Sequence, residues 1–311
     1  GPALTVTNYT VTTTNTASGC TSTDVVVVTV DAVQTANAGS SQSMCFGASV
    51  TLAGAVGGSA TGGTWSGGTG TFSPNANTLN ASYTPSAADT IGGSITLTLT
   101  STSTTSSCPF ASSNVTLSFY PSPVIAFSST PPGCPPLCVN FTDLSTVAGG
   151  TIVSWLWDFG DPGSSSNTST LQNPSHCYDN SGFYDVTLSA TSNNGCTTTL
   201  MISQFVQVYY VPTASFIATP PSSTIFDGLI AFTDQSSTPF GTIVSWVWDF
   251  GDGTSSVGQN NVHQFPVSSP GIYNVTLTVV NSFGCIATYS LPVEIGPEFT
   301  FYIPNCVTPN E

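Results

Sequence analysis

Lysine and arginine are absent from all 311 residues, and 15 carboxylates leave a formal charge of −15. Without cations the chain cannot displace counterions from phosphates, which excludes nucleic-acid binding. Docking on anionic lipid through a basic face is excluded on the same ground. An active site would lack the usual cations for stabilising a developing anion. Charge of either sign is scarce, at 5% of residues against roughly a quarter in an ordinary domain. No run approaches the ~18 apolar residues of a membrane-spanning helix, so membrane insertion is not expected. The opening Gly1-Pro2 carries no basic signal-peptide region, and the chain reads as a mature or trimmed piece. Helical periodicity is nearly missing too.

What remains is hydroxyl-rich and apolar. About three residues in ten are Ser or Thr, and 39% are hydrophobic, too many for a disordered acidic tail. Short alternating runs rich in Val, Thr and Ile cover Asp24 to Val30, Ser94 to Thr100, Asn114 to Phe119, Asp185 to Ala190 and Asn274 to Val280. Bounded by Gly, Pro, Asn and Ser clusters, they predict an all-β chain of small sandwiches. Nine cysteines without a CxxC pair point to disulfides in an oxidising, extracellular setting. The number is odd, so at least one is free or pairs with another chain.

An internal repeat organises the second half. Phe141-Thr142-Asp143 recurs as Phe232-Thr233-Asp234, and the eleven residues Thr151 to Asp161 recur as Thr242 to Asp252. Each copy then carries a histidine (His176, His263), a Gly-x-Tyr-x-Val-Thr-Leu segment (Gly182 to Leu188, Gly271 to Leu277) and a Gly-Cys pair (Gly195-Cys196, Gly284-Cys285). Tyr9-Thr10-Val11, Gly19-Cys20 and the run after them match the end of this unit. The expected domains are therefore 1–32, the last strands of an incomplete module; 33–121, a Gly/Ala/Thr-rich sandwich; 122–208 and 209–296, the two repeats; and 297–311, a tail or inter-subunit strand.

The Trp-x-Trp-Asp-Phe-Gly-Asp segments resemble those of the polycystic-kidney-disease (PKD) type of Ig-like domain. The resemblance implies tandem Ig-like β-sandwiches arranged like beads on a string. By strand alternation Trp155, Trp157 and Phe159 share a face, as do Trp246, Trp248 and Phe250, so these rows are expected to contribute to the cores. Tyr184 and Tyr273 fit tyrosine corners. Asp158, Asp161, Asp249 and Asp252 flank glycine turns and are expected to accept backbone N–H bonds; calcium is the alternative partner for them. No other cofactor is expected. His176 and His263 are structural duplicates with no triad around them, and no enzyme is expected.

The 33–121 module, through Asn37-Ala38-Gly39, Gly63-Thr64-Trp65-Ser66 and Tyr83-Thr84-Pro85, resembles repeats of large adhesin-like surface proteins of gliding Bacteroidota. The tail Phe299 to Asn305 with Thr308-Pro309-Asn310 is similar to the opening of a gliding-motility-type C-terminal sorting domain, which implies type IX secretion. It departs from that pattern at Cys306 and Glu311. The expected disulfides are Cys45–Cys108, Cys134–Cys196 and Cys138–Cys177, with Cys285–Cys306, or Cys20–Cys306 between subunits, for the remainder. The expected function is that of a cell-surface stalk, adhesin or filament subunit whose partners are copies of itself, surface glycans or cell-surface proteins. The alternative is a carbohydrate- or protein-binding accessory region of a secreted hydrolase.

Overall fold

The computed structural model describes residues 5–104 and 108–297, and these fold almost entirely as β-strands. The described chain divides into two compact units: Gly1–Ile125 with Ser145–Ser154 and Ala190–Thr198, and Ala126–Leu144 with Trp155–Ser189 and Thr199–Glu311.

The first unit opens on an antiparallel hairpin of Thr5–Thr14 and Thr21–Val30, in which Tyr9 faces Val26 and Val11 faces Asp24. It is joined to no third strand among the described residues. The Gly-rich module follows as a sandwich. Its larger sheet runs in the order Gln42–Cys45, Ser112–Tyr120, Ser94–Thr102, Gly62–Ser66, and the first two strands of that order are parallel. Short strands make up the opposing layer. Alternation along Ser94–Thr102 and Ser112–Tyr120 sends Leu97, Leu99, Val115, Leu117 and Phe119 inward, onto Trp65, Leu52 and Tyr83. Gly54 is required there, because a Cβ would stand 2.7 Å from both the Trp65 ring and the Leu79 carbonyl.

The one helix among the described residues, Ala87–Ile91, is a single turn held by a capping box. Its Asp89, 5% exposed, accepts bonds from the Tyr83 hydroxyl (2.7 Å), the Thr69 N–H (2.8 Å) and the Ser86 N–H (2.9 Å). Burial would raise its pKa, but these donors outweigh burial and hold the carboxyl down at about 2. Burial, and then Asp89 itself, push the Tyr83 phenol up to about 12. A depressed carboxyl pKa stabilises the fold above the ordinary carboxylate range and loses that contribution as pH falls toward 2. Asp89→Asn is therefore expected to cost this module about 2 kcal/mol at neutral pH and to flatten its acid dependence below pH 4. Hydrogen exchange of residues 62–120 at pH 7 and pH 3 measures both effects.

The second unit holds most of the two repeats. In the last repeat Phe216–Thr219, Leu229–Asp234 and Asn261–Gln264 form one sheet. The facing sheet runs Ser222–Thr224, Ile286–Gly296, Gly271–Asn281, Ile243–Asp249, Ser255–Val257. Between them lie Phe216, Ile230, Phe232, Trp248, Phe250, Phe265, Val275, Leu277, Val279, Val293 and Ile295, all buried. The Gly271–Asn281 strand reads buried at every second residue from Val275, the half-buried pattern expected from its sequence.

Candidate functional site

Two features recur in the repeats and are candidates for function: the aromatic-acidic turns and the cysteines. In each turn alternation separates the tryptophans by depth. Trp157 and Trp248 are fully buried, with indole N–H bonds to the Leu171 carbonyl (3.0 Å) and the Gly258 carbonyl (2.9 Å). Trp155 and Trp246 are only half-buried, and each donates to the aspartate of the repeated Phe-Thr-Asp triplet, Asp143 (2.7 Å) or Asp234 (2.8 Å). The repeat of that triplet signalled a shared role; the indole bond itself was not read from the sequence. Trp65 belongs to the same set, since its N–H reaches the Leu79 carbonyl at 3.1 Å, fourteen residues on, as Trp157 reaches Leu171. A groove of about 310 Å³ beside Trp246 is walled by Asp234, Gln259, Ser236 and Thr242.

The four turn aspartates are engaged within the protein. Asp158 and Asp249 accept from the N–H of Gly160 and Gly251, each at 2.9 Å. Gly160 has φ 71°, and a Cβ there would meet the Asp185 carbonyl oxygen at 2.1 Å. Asp161 and Asp252 hold the histidines: His176 Nε2 lies 3.2 Å from Asp161, and His263 Nε2 lies 2.8 Å from Asp252. Each imidazole stacks on the phenylalanine of the motif, His176 on Phe159 at 11° and His263 on Phe250 at 2°. The sequence reading left these histidines without an aspartate partner, and the structure corrects it. Sequence distance conceals the pairing, because fifteen and eleven residues separate the partners. Burial would raise the Asp252 pKa, but hydrogen bonds from Thr254 and His263 hold it below the usual carboxylate range. No group of three or more His, Cys, Asp or Glu suited to a metal ion occurs among the described residues. Tyr184 and Tyr273 donate to the carbonyls of Asn180 (2.7 Å) and Ser269 (2.5 Å), the geometry of a tyrosine corner.

The cysteines depart most from expectation. Cys138 bonds Cys177 across neighbouring strands, but Cys45 bonds Cys196 and Cys134 bonds Cys285, both over a separation of 151 residues. The expected Cys45–Cys108, Cys134–Cys196 and Cys285–Cys306 pairs are therefore wrong, and the reason lies in strand geometry. Each Gly-Cys turn immediately precedes the last strand of its module: Cys196 stands before Thr197–Val208 and Cys285 before Ile286–Gly296. Cys45 and Cys134 stand at the far end of a last strand. Cys45 faces Tyr120 in parallel register, and Cys134 follows Gly133, which bridges Val208. A twelve-residue strand spans about 40 Å, so Cys134 and Cys196 lie at opposite ends of one sandwich, far beyond disulfide reach. Cys45 and Cys108 flank the strand Ser112–Tyr120 in the same way; Cys108 lies instead against the Asp31 carbonyl, at 4.0 Å. A cysteine ahead of a last strand reaches only the preceding module. Cys306, and with it the proposed Cys20–Cys306 bond, lies outside the described residues.

Backbone bonds repeat around the two junctions. The Phe46 N–H donates to the Tyr120 carbonyl at 2.9 Å, and the Tyr209 N–H donates to the Gly133 carbonyl at 2.7 Å. The Cys196 Sγ lies 3.7 Å from the Tyr120 carbonyl, and Asn281 Nδ2 donates to the Tyr210 carbonyl at 2.8 Å. Tyr209 stacks on Phe283, one residue before the Gly-Cys pair.

Two paired sheets per repeat, the tyrosine corners and the doubled tryptophan motif coincide with a family match over residues 120–208 and 212–295, described as PKD domain. The chain belongs to the PKD-domain family. Among its relatives, the pre-pro-metalloprotease PrtV of Vibrio cholerae is 29% identical over 160 residues, 51% of this chain and 16% of that protein. A microbial collagenase of Vibrio alginolyticus is 45% identical over 67 residues, 21% of this chain and 8% of that protein. The chain thus spans a small part of the length of either. The PKD1 domain of Vibrio anguillarum Epp is 31% identical and is covered over 98% of its length by 29% of this chain, with a TM-score of 0.25. PKD domains with disulfides agree with an extracellular setting, and no helix among the described residues is long and apolar enough to cross a membrane.

Proposed function

We propose that this chain is a non-enzymatic spacer of an exported surface protein, a stalk segment whose sandwiches are covalently stapled to their neighbours. The observation that carries the reading is the recurring junction disulfide, in which the cysteine before one module's last strand bonds the cysteine beside the far end of the previous module's last strand. The loops closed by Cys45–Cys196 and Cys134–Cys285 overlap, so a backbone cut anywhere between Cys45 and Cys285 leaves both halves joined. Absence of Lys and Arg adds resistance to basic-site proteases. The resemblance of the 33–121 module and the tail to surface proteins of gliding Bacteroidota supports export by the type IX route.

The composition supplies a clean test. The parent chain offers trypsin no site, even unfolded and reduced. Val267→Arg, in an exposed turn between Cys196 and Cys285, creates a single one. Trypsin is expected to nick this variant once, with no loss of mass on a non-reducing gel and two fragments on a reducing gel. Fragments that separate without reductant contradict the reading.

A further inference from the structure

The hairpin at the front of the chain carries the same Gly-Cys hydrogen-bond pattern as the two stapled modules, in a turn one residue longer. In all three, the residue at or just past the end of the first arm donates its N–H to the cysteine carbonyl: Asn15 to Cys20 at 2.8 Å, Ser192 to Cys196 at 2.8 Å and Asn281 to Cys285 at 3.0 Å. The preceding glycine donates back to that same residue, Gly19 to Asn15 at 2.8 Å, Gly195 to Ser192 at 2.9 Å and Gly284 to Asn281 at 2.9 Å. All three glycines have positive φ, at 72°, 80° and 83°. In each case the strand that follows the cysteine is the second arm of an antiparallel hairpin. Cys196 and Cys285 are buried in disulfides at 0% and 1% exposure, whereas Cys20 is exposed with a free thiol. A second observation accompanies it. Tyr9, Val11, Val26, Val28 and Val30 share one face of the hairpin and are all exposed, where the matching strands of the last repeat bury Val275, Leu277, Val293 and Ile295.

We infer that Cys20 forms a third junction staple, and that its partner is a cysteine beside the far end of the last strand of another sandwich, the position that Cys45 and Cys134 occupy. A cysteine at the start of a last strand cannot meet the socket at that strand's far end, so its bond must run to a different sandwich. The same logic finds the socket position in the last repeat. Ser222–Thr224 runs parallel to the end of the last strand, with Thr224 facing Gly296, as Cys45 faces Tyr120. Thr224 stands where the other modules carry a socket cysteine, so this sandwich accepts no plug. The staples thus have a direction, and substitution at one residue closes the series. Formation of the bond oxidises two thiols to one disulfide with loss of two protons and two electrons, taken up by a disulfide oxidant such as oxidised glutathione.

This inference rests on the spacer reading, and the Val267→Arg nick tests that reading without involving Cys20. Thr224→Cys restores a socket in the full chain. Under oxidised and reduced glutathione it is expected to form head-to-tail covalent oligomers, with a cross-linked peptide joining Cys20 of one copy to position 224 of the next and loss of Cys20 alkylation. The parent chain forms no such link, and Cys20→Ser in the Thr224→Cys background abolishes it. Cys20 alkylated at the parent's rate, or bonded only to a second Cys20 or to Cys306, overturns the inference. Circular dichroism matching the parent's verifies that the Thr224→Cys chain is folded.

Discussion

Stretched from its ends with the disulfides intact, the protein is expected to release about 700 Å less chain than after reduction. Once every sandwich has unfolded, the reduced path from Cys45 to Cys285 runs through 240 residues of backbone. With the disulfides closed, the shortest path bears the force: it crosses Cys45–Cys196, runs back along 196–177, crosses Cys177–Cys138, runs back along 138–134 and crosses Cys134–Cys285. That path holds 23 residues, against 89 along either 45–134 or 196–285. At roughly 3.4 Å per extended residue, the 217 residues that never enter the path account for the missing length. Cys138–Cys177 contributes to it, because without that bond the return from 196 to 134 holds 62 residues. Single-molecule extension with and without reductant measures it. Equal lengths in the two states, or a shortening set by one staple per module, would contradict the overlapping pattern.

Trp248→Ala is expected to unfold the last repeat at room temperature while its neighbour two residues away tolerates the same change. Trp248 has 0% exposure, touches Phe216 and Phe232 edge-on and tilted, and spends its N–H on the Gly258 carbonyl. Truncating a buried tryptophan costs about 3–5 kcal/mol, and the Gly258 carbonyl loses its partner besides. A domain of this size has about 4–12 kcal/mol in total, so the loss removes much or all of it. Trp246 is half-buried, and its chief polar contact is the Asp234 bond at the groove rim. Trp246→Ala is expected to cost about 1–2 kcal/mol. Hydrogen exchange across residues 212–295 separates the two outcomes: global loss of protection for the first, local loss near Asp234 for the second.

Much of this architecture was legible in the residues, and the exceptions share a cause. Strand alternation and the doubled Trp-x-Trp-Asp-Phe-Gly-Asp segment located the sheets, the buried Trp157 and Trp248 and the tyrosine corners, because each depends on neighbours within a few positions. The histidine–aspartate pairs and the indole bonds to Asp143 and Asp234 join separate strands, and strand pairing is not written in any one segment. Trp65 escaped notice as a counterpart of Trp157 because its module lacks the flanking Asp-Phe-Gly-Asp. Cys138–Cys177 is bonded as expected, but the partners of Cys45, Cys134, Cys196 and Cys285 differ from expectation, because nothing local reveals which end of a strand a cysteine occupies. The signal was present at longer range: Cys45 to Cys196 and Cys134 to Cys285 are the same distance apart in sequence.

The lack of cations acquires a structural counterpart. Among the described residues the only side-chain contacts at ion-pair distance are the hydrogen-bonded pairs His176–Asp161 and His263–Asp252. Cohesion rests on buried aromatics, backbone ladders, hydroxyl networks such as the one around Asp89, and covalent staples. None of these needs a positive charge, and acidification removes repulsion among carboxylates instead of building up a net positive charge. Acid sensitivity is therefore confined to carboxylates that serve as buried acceptors, Asp89 and Asp252 foremost.

The two long-range disulfides, Cys45–Cys196 and Cys134–Cys285, run between modules, and a non-reducing disulfide map tests that claim most directly. Digestion with chymotrypsin and an aspartate-specific protease, with free thiols blocked beforehand, is expected to yield cross-linked peptides joining Cys45 to Cys196 and Cys134 to Cys285. Peptides joining Cys45 to Cys108 and Cys134 to Cys196 would contradict the account.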